Sequence, residues 1–222
     1  MPAFLFDMDG TMVDSMPWHA RSWIAFSQST GLPPPGPDFF RRTTGLTGVE
    51  VMRDLAGDRP EAELRAMVAH KEALYRALFA PHFCEVRGFR AFADAARATG
   101  VRLACATAGD ADNIAFVLGH LGCESLFDAV VGAHDVQRGK PHPDLFLLAA
   151  RRMGVDPAEC LVFEDAPHGV EAARRAGMRA VAIATTLPPD ELGAPDHVVA
   201  RAIDFTTLDV GDLLAHFAAR AR

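Results

Sequence analysis

The stretch FLFDMDGTMVDS, residues 4–15, runs an apolar segment straight into two carboxylates, Asp7 and Asp9, followed at once by Gly10 and Thr11. A strand does not ordinarily meet solvent through acids one residue apart, so the question is what they hold. Comparable residues stand after other apolar runs. Thr107, Ala108 and Gly109 follow VRLACA (101–106), Lys140 lies in GKPHPD, and Glu164 and Asp165 end CLVFED (160–165). In an open parallel sheet the carboxyl ends of the strands form the ligand crevice. Four carboxylates meeting there with one lysine and one threonine would repel strongly unless a cation joined them. Mg²⁺ meets that need, since it takes hard oxygen ligands at about 2.0–2.1 Å and keeps waters that a substrate can displace. Taken singly, each residue has an ordinary reading: solvated turn acids for Asp7 and Asp9, a helix cap for Glu164 and Asp165, a strand-end hydroxyl for Thr107, a surface charge for Lys140.

The elements that must position these groups are legible in the pattern. Residues 2–6 read as a strand buried on both faces. Helical stretches are expected at 16–29, at 47–56 and from about 60 to 79, the last capped by Asp58 or a near neighbour, with the proline-rich GLPPPGP (31–37) between the first two. From residue 88 helices alternate with short apolar strands: helices 88–99, 111–121, 143–153 and 168–176, strands 101–106, 128–132, 160–165, 179–184 and 196–200, then a C-terminal helix. Such alternation indicates βαβ units in a parallel sheet. Residues 15–84 show no strand and read as a helical insertion after the first one.

The 222-residue chain has the length of one large domain or of one domain carrying an insertion, and its formal charge of −7 disfavours a nucleic-acid or anionic-membrane surface. No apolar run reaches about 18 residues and no basic leader precedes the first strand. Cys84, Cys105, Cys123 and Cys160 are scattered without metal-ligand spacing. The expectation is a reduced, cytoplasmic protein, monomeric, with no nucleic-acid or membrane partner. Of 22 Lys and Arg residues only Lys71 and Lys140 are lysines, which marks both as places where a compact ammonium is wanted.

DMDGT, the strand-terminal Thr107, the GKPHPD lysine and FEDAPHG, in that order, resemble the haloacid dehalogenase superfamily of phosphotransferases, in the members with a helical cap after the first strand. The resemblance implies an α/β, Rossmann-like, doubly wound core from residues 1–14 and 85–222, with residues 15–84 as an α-helical cap. It implies Asp7 as nucleophile forming an aspartyl-phosphate, and Asp9 as general acid/base. Mg²⁺ would be held by Asp7, Asp165 and the Asp9 carbonyl, with Glu164 beside it or binding through water. Thr107 and the Ala108 N–H would hold phosphoryl oxygens and Lys140 would balance charge. The dehalogenases that name the superfamily lack the second acid, so Asp9 points to phosphoryl chemistry.

The insertion resembles the caps of β-phosphoglucomutases and of small sugar- or polyol-phosphate phosphatases, and the core segments look like fructose-1-phosphatase-like enzymes. Its specificity loop would be RRTTGLTG (41–48), with Arg41 or Arg42, Gly45, His19 and Lys71 as candidate substrate-side residues. Mutases of this type grip a second phosphate with an arginine and a lysine; the corresponding positions here are Gly48 and Asp110. The expectation is therefore an Mg²⁺-dependent phosphatase for a small phosphate monoester, with a sugar-phosphate mutase as the alternative. From another class comes a non-catalytic phospho-acceptor or binding protein, which the retained acid pair and the cap disfavour.

Overall fold

The computed structural model describes residues 1–189, 191–192 and 195–218, apart from the side chains of Arg41 and Ala218. Six parallel strands form one sheet in the order β3-β2-β1-β4-β5-β6: β1 (Ala3–Phe6), β2 (Arg102–Ala106), β3 (Ala129–Val131), β4 (Cys160–Glu164), β5 (Arg179–Ile183) and β6 (Val198–Ala202). The chain winds from β1 towards β3 on one side and from β4 to β6 on the other. The crevice between β1 and β4 is thus the topological switch point of the sheet. Phe6 is in register with both Phe163 and Cys105, so the three central strands end at one level and deliver their following residues to one place.

β1 is apolar throughout because both its faces are covered. Phe4 and Phe6 enter a cluster with Phe163, Phe89, Phe92 and Phe205, and the Phe6 and Phe163 rings stack at 4.6 Å. Ala3 and Leu5 turn to the opposite face, against Val162, Phe146 and Ala104. Four helices precede β2: α1 (Met16–Thr30), α2 (Phe39–Thr43), α3 (Gly48–Ala56) and α4 (Glu61–Phe79). They enclose an apolar cluster of their own, built on Trp23, Phe26, Phe39, Val51, Met52 and Leu64. The remaining helices are α5 (Phe89–Ala98), α6 (Ala111–Leu121), α7 (Asp144–Met153), α8 (Pro167–Arg175) and α9 (Val210–Ala218).

Two local expectations shift. α4 is entered through Pro60, which makes no side-chain cap bond, while Asp58 is exposed and lies 3.9 Å from Arg53. The short α2 was not anticipated, because its five residues, FFRRT, offer too little periodicity for a helix to register. α3 is fixed by a reciprocal capping box: the Glu50 N–H donates to the Thr47 hydroxyl, and the Thr47 N–H donates to the Glu50 carboxylate at 2.9 Å.

Phe6 sits at the centre of the aromatic cluster and is fully buried. Phe6→Ala should lower the unfolding free energy in urea by about 3–5 kcal/mol. Ile24→Ala, at a side chain 47% exposed, should change it by no more than about 0.5 kcal/mol.

Candidate active site

β1 ends at Phe6, and the Asp7 N–H still donates to the Phe163 carbonyl at 3.0 Å, which holds Asp7 at the level of the strand ends. The chain then coils tightly, with the N–H groups of Thr11, Met12 and Val13 all pointing to the Met8 carbonyl. Gly10 makes this coil possible: its φ of +77° suits glycine, and a Cβ there would run into the Asp165 carboxylate. The sharp turn thereby brings the backbone after β1 against the acid after β4.

Three carboxylates meet in the crevice. Oxygens of Asp7, Glu164 and Asp165 lie within 4.8 Å of one another, and all three side chains are buried. Lys140, 1% exposed, stands between Asp7 and Glu164 and donates to both. Glu164 also accepts the Ala166 N–H at 3.0 Å, and its carboxylate fills the space that a Cβ on Gly169 would occupy. Both Glu164 oxygens are therefore engaged by protein, which suits a residue beside a metal better than one bound to it. Asp165 accepts from the hydroxyls of Thr11 (3.3 Å) and Thr186. One ammonium does not neutralise three acids. Burial, reinforced by Glu164 and Asp165, raises Asp7 well above the ordinary carboxyl range against the pull of Lys140. Burial and the Glu164 charge push Asp165 up to about 7. Burial works to lower Lys140, but Asp7 and Glu164 outweigh it and hold the ammonium charged. A hard divalent cation fits this donor set on charge and on ligand type.

Asp9 faces the other way, towards the helices before β2. Burial works to raise its carboxyl, yet His19, Ser15 and Tyr75 outweigh it and hold it at about 2. All three partners meet one oxygen: Oδ1 takes the Ser15 hydroxyl at 2.7 Å, the Tyr75 hydroxyl at 3.0 Å and His19 Nε2 at 3.1 Å. No hydrogen bond among the described residues falls on Oδ2. The carboxylate is thus oriented by one oxygen, and the other is left for chemistry. His19 is stacked on Tyr75 at 3.7 Å between centroids, and its Nδ1 lies 3.1 Å from Lys71 Nζ. Lys71, 2% exposed, pairs with Glu72 at 2.6 Å and lies 4.8 Å from the Trp23 ring centroid.

A cavity of about 550 Å³ opens over the carboxylates and is walled by residues from both parts of the chain. Thr107, Ala108, His19, Gly45 and Lys71 line it with Asp7 and Asp9, as do Gly48 and Asp110. The Thr107 hydroxyl accepts the Gly109 N–H at 3.0 Å, which leaves its own hydrogen to donate. Arg42 does not line the cavity; it is paired with Asp54 at 2.8 Å and largely exposed, so it departs from the substrate-side role expected of it. The side chain of Arg41 lies outside the described residues. His168, on α8, donates through Nδ1 to the Thr44 carbonyl at 2.9 Å, docking the loop that carries Gly45 onto the sheet side.

Ser15, Tyr75 and Glu72 were not singled out from the sequence. Tyr75 carried a signal: it is the chain's only tyrosine, four residues after Lys71 and so on the same helix face. Ser15 and Glu72 carried none until α1 and α4 were packed together.

The profile of haloacid dehalogenase-like hydrolases matches residues 1–177. The chain belongs to this family. It is 35% identical over 187 residues to fructose-1-phosphate phosphatase YqaB of Escherichia coli, covering 80% of this chain and 93% of that one. It is 28% identical over 211 residues to the chloroplastic 5-amino-6-(5-phospho-D-ribitylamino)uracil phosphatase of Arabidopsis thaliana, a match over 94% of this chain that spans 57% of the length of that relative. In fold it is similar to a β-phosphoglucomutase from Clostridium difficile, with a TM-score of 0.85 at 22% identity over 99% of this chain and 100% of that one. No helix among the described residues is long and apolar enough to cross a membrane.

Removing the cation from the carboxylate cluster should be costly. Lys140→Met should destabilise the protein by about 3–5 kcal/mol in urea unfolding at pH 7, because it leaves buried like charges uncompensated. Lys140→Arg should not restore the wild-type value, since a guanidinium is too large for a site 1% exposed.

Proposed function

We propose that this enzyme is a phosphatase for a small, otherwise uncharged sugar or polyol phosphate, acting through an aspartyl-phosphate on Asp7. The observation that carries the reading is the division of labour between two acids two residues apart: Asp7 in the carboxylate crevice beside Lys140, Asp9 oriented from the other side through Oδ1. An Asp7 oxygen attacks phosphorus and the P–O bond to the sugar breaks; the resting Asp9 is ionised, so the departing oxygen takes its proton from the minor form of Asp9 protonated on Oδ2. Water then attacks phosphorus, Asp9 takes a proton from it, and inorganic phosphate leaves as the Asp7 carboxylate is regenerated. Thr107 and the Ala108 N–H would hold phosphoryl oxygens, and Lys140 would balance charge on Asp7 and on the transferring group. Asp7, Asp165 and the Asp9 carbonyl would hold Mg²⁺, with Glu164 next to it; when bound, it would supply neutralisation of the phosphoryl charge.

We read residues 15–84 as the cap over this site and residues 1–14 and 85–222 as the catalytic unit. Charge on the cavity wall favours a leaving group without a second phosphate. Arg53 and Arg65 pair with Glu61, Lys71 with Glu72, and Glu50 is used in the capping box of α3. A side chain at position 48 would meet Val68 Cγ1 at 2.8 Å, so the packing there leaves no room for an arginine. Asp110 caps α6, accepting the Asn113 N–H at 2.8 Å, and adds a negative group where a second phosphate would need a cation. These features weigh against the mutase alternative. The names of the relatives, phosphatases of fructose 1-phosphate and of a ribityl phosphate, are consistent with a small polyol-like leaving group.

The test is phosphate release, with Mg²⁺, from hexose 1- and 6-phosphates, fructose 1-phosphate, glycerol phosphates, nucleotides and pyrophosphate. A coupled assay for conversion of β-glucose 1-phosphate to the 6-phosphate runs beside it. Release from sugar or polyol monophosphates that falls at least about 10³-fold in Asp7→Asn, with no isomerisation, is the expected result. Bisphosphate-dependent isomerisation would make the enzyme a mutase. Mg²⁺ at about a hundred times its Kd should also stabilise the wild type by about 2.7 kcal/mol, and Asp165→Asn should lose most of that gain in a thermal melt.

A further inference from the structure

The hydroxyls of a sugar or polyol both donate and accept hydrogen bonds, so a wall that reads them needs side chains able to do the same. Thr107 apart, most groups of that kind on the cavity wall are already spent within the protein. His19 is engaged through both nitrogens, by Asp9 and by Lys71. The Thr43 and Thr44 hydroxyls donate to the carbonyls of Phe39 at 2.7 Å and Phe40 at 2.6 Å. Thr47 donates to the Glu50 carboxylate at 2.6 Å and accepts the Glu50 N–H. Asn113 donates through Nδ2 to Glu72 and accepts through Oδ1 from Arg76, both at 2.8 Å. Two wall residues remain, His134 and Gln137. No hydrogen bond among the described residues falls on the His134 ring or the Gln137 amide, and His134 Nε2 lies 3.6 Å from Asp135, beyond hydrogen-bonding distance.

Both stand on the loop after β3, on the sheet side of the cavity, and that loop is held in place. The Ala133 N–H donates to the Gly109 carbonyl at 3.0 Å, which ties the loop to the turn that follows Thr107. Asp135 accepts the Gly132 N–H at 3.0 Å and Arg152 at 2.5 Å. The His134 ring lies over Gly132, where a Cβ would come within 2.8 Å of its Cε1. Across the cavity the helices before β2 present Phe40, Leu46, Val49 and Val68, partly buried against the Trp23 cluster. A polyhydroxyl chain between these walls can lay its carbon–hydrogen face on the apolar side chains and turn its hydroxyls to the loop. A neutral imidazole and a primary amide each offer a donor and an acceptor there. We propose that His134 and Gln137 are specificity-determining residues that read the hydroxyls of the leaving group from the sheet side, while the helices before β2 supply apolar contact.

This rests on the site taking a sugar or polyol phosphate, and the experiment separates the two. His134→Leu and Gln137→Leu remove the polar atoms and keep much of the volume, and thermal melts confirm that each variant is folded. On the sugar or polyol phosphate that the wild type cleaves best, each should raise KM and lower kcat/KM at least about fivefold, the worth of one or two hydrogen bonds. On p-nitrophenyl phosphate, whose leaving group carries no hydroxyl, both should stay within about threefold of the wild type. Among the monodeoxy analogues of the best substrate, one should be cleaved equally well by the wild type and Gln137→Leu, which a merely structural role would not produce. Equal losses on both substrates, no loss on the sugar phosphate, or the same loss with every deoxy analogue would overturn the proposal. Calorimetry on the Asp7→Asn protein tests binding without turnover. Adding either leucine should weaken fructose 1-phosphate at least about fivefold and leave inorganic phosphate unchanged. A wild type that cleaves no monophosphate would sink the phosphatase reading instead. The titrations would then still decide, against the proposal if fructose 1-phosphate binds no better than inorganic phosphate or if both weaken alike.

Discussion

The interaction on which the rest depends is the burial of three acids beside a single ammonium. Asp7, Glu164 and Asp165 are taken out of water at the ends of two neighbouring strands, with Lys140 bonded to the first two. Such a cluster is unfavourable by itself, since desolvation and mutual repulsion both act against the charged forms. It persists because the surrounding fold over-determines it. The parallel ladder fixes Asp7 through the Phe163 carbonyl, the coil after β1 leaves room for Asp165 only because residue 10 is glycine, and residue 169 is glycine where the Glu164 carboxylate lies. Charge is thereby concentrated in a crevice whose donor set fits a hard divalent cation, and the aromatic packing of β1 and β4 lies below it.

Much of this was legible in the sequence because it is local. A strand end, the residue types that follow it and a glycine in the turn are features of a few consecutive residues, and a parallel sheet then brings all such strand ends to one rim. DMDGT, Thr107, the GKPHPD lysine and FEDAPHG needed only that rule to be assembled. The helices before β2 obey no comparable rule. Which of their side chains meet Asp9 depends on how α1 and α4 cross and on the rotation of α4 about its axis, which periodicity alone leaves open. Lys71 was legible as one of only two lysines in the chain, and His19 as a histidine one turn into the insertion, within reach of Asp9. Glu72 resembled any solvated acid, and Arg42 resembled a substrate-gripping cation until Asp54 was found against it.

The two carboxylates near the start of the chain are close in sequence and opposite in environment. Asp7 faces acids and one lysine in a buried crevice, and burial with like charge drives it upward. Asp9 receives three donors on one oxygen, and these outweigh burial. The turn at Gly10 makes this separation possible, because it lets residue 7 belong to the sheet while residue 9 belongs to the boundary with α1 and α4. One short segment therefore carries two carboxyl groups in opposite environments, which is what the proposed division between nucleophile and acid/base requires.

That separation also explains why the helices before β2 matter beyond shaping the cavity. Two of the three donors on Asp9 come from α1 and α4, through His19 and Tyr75, and the third, Ser15, stands at the start of α1. If those helices moved away, Asp9 would lose its orienting bonds and regain water, while the Asp7–Lys140–Glu164 cluster would stay intact on the sheet. Asp7 is thus held by the sheet itself, and the bonds that orient Asp9 are assembled at a boundary. Shaping the cavity wall and orienting Asp9 therefore depend on the same two helices, α1 and α4.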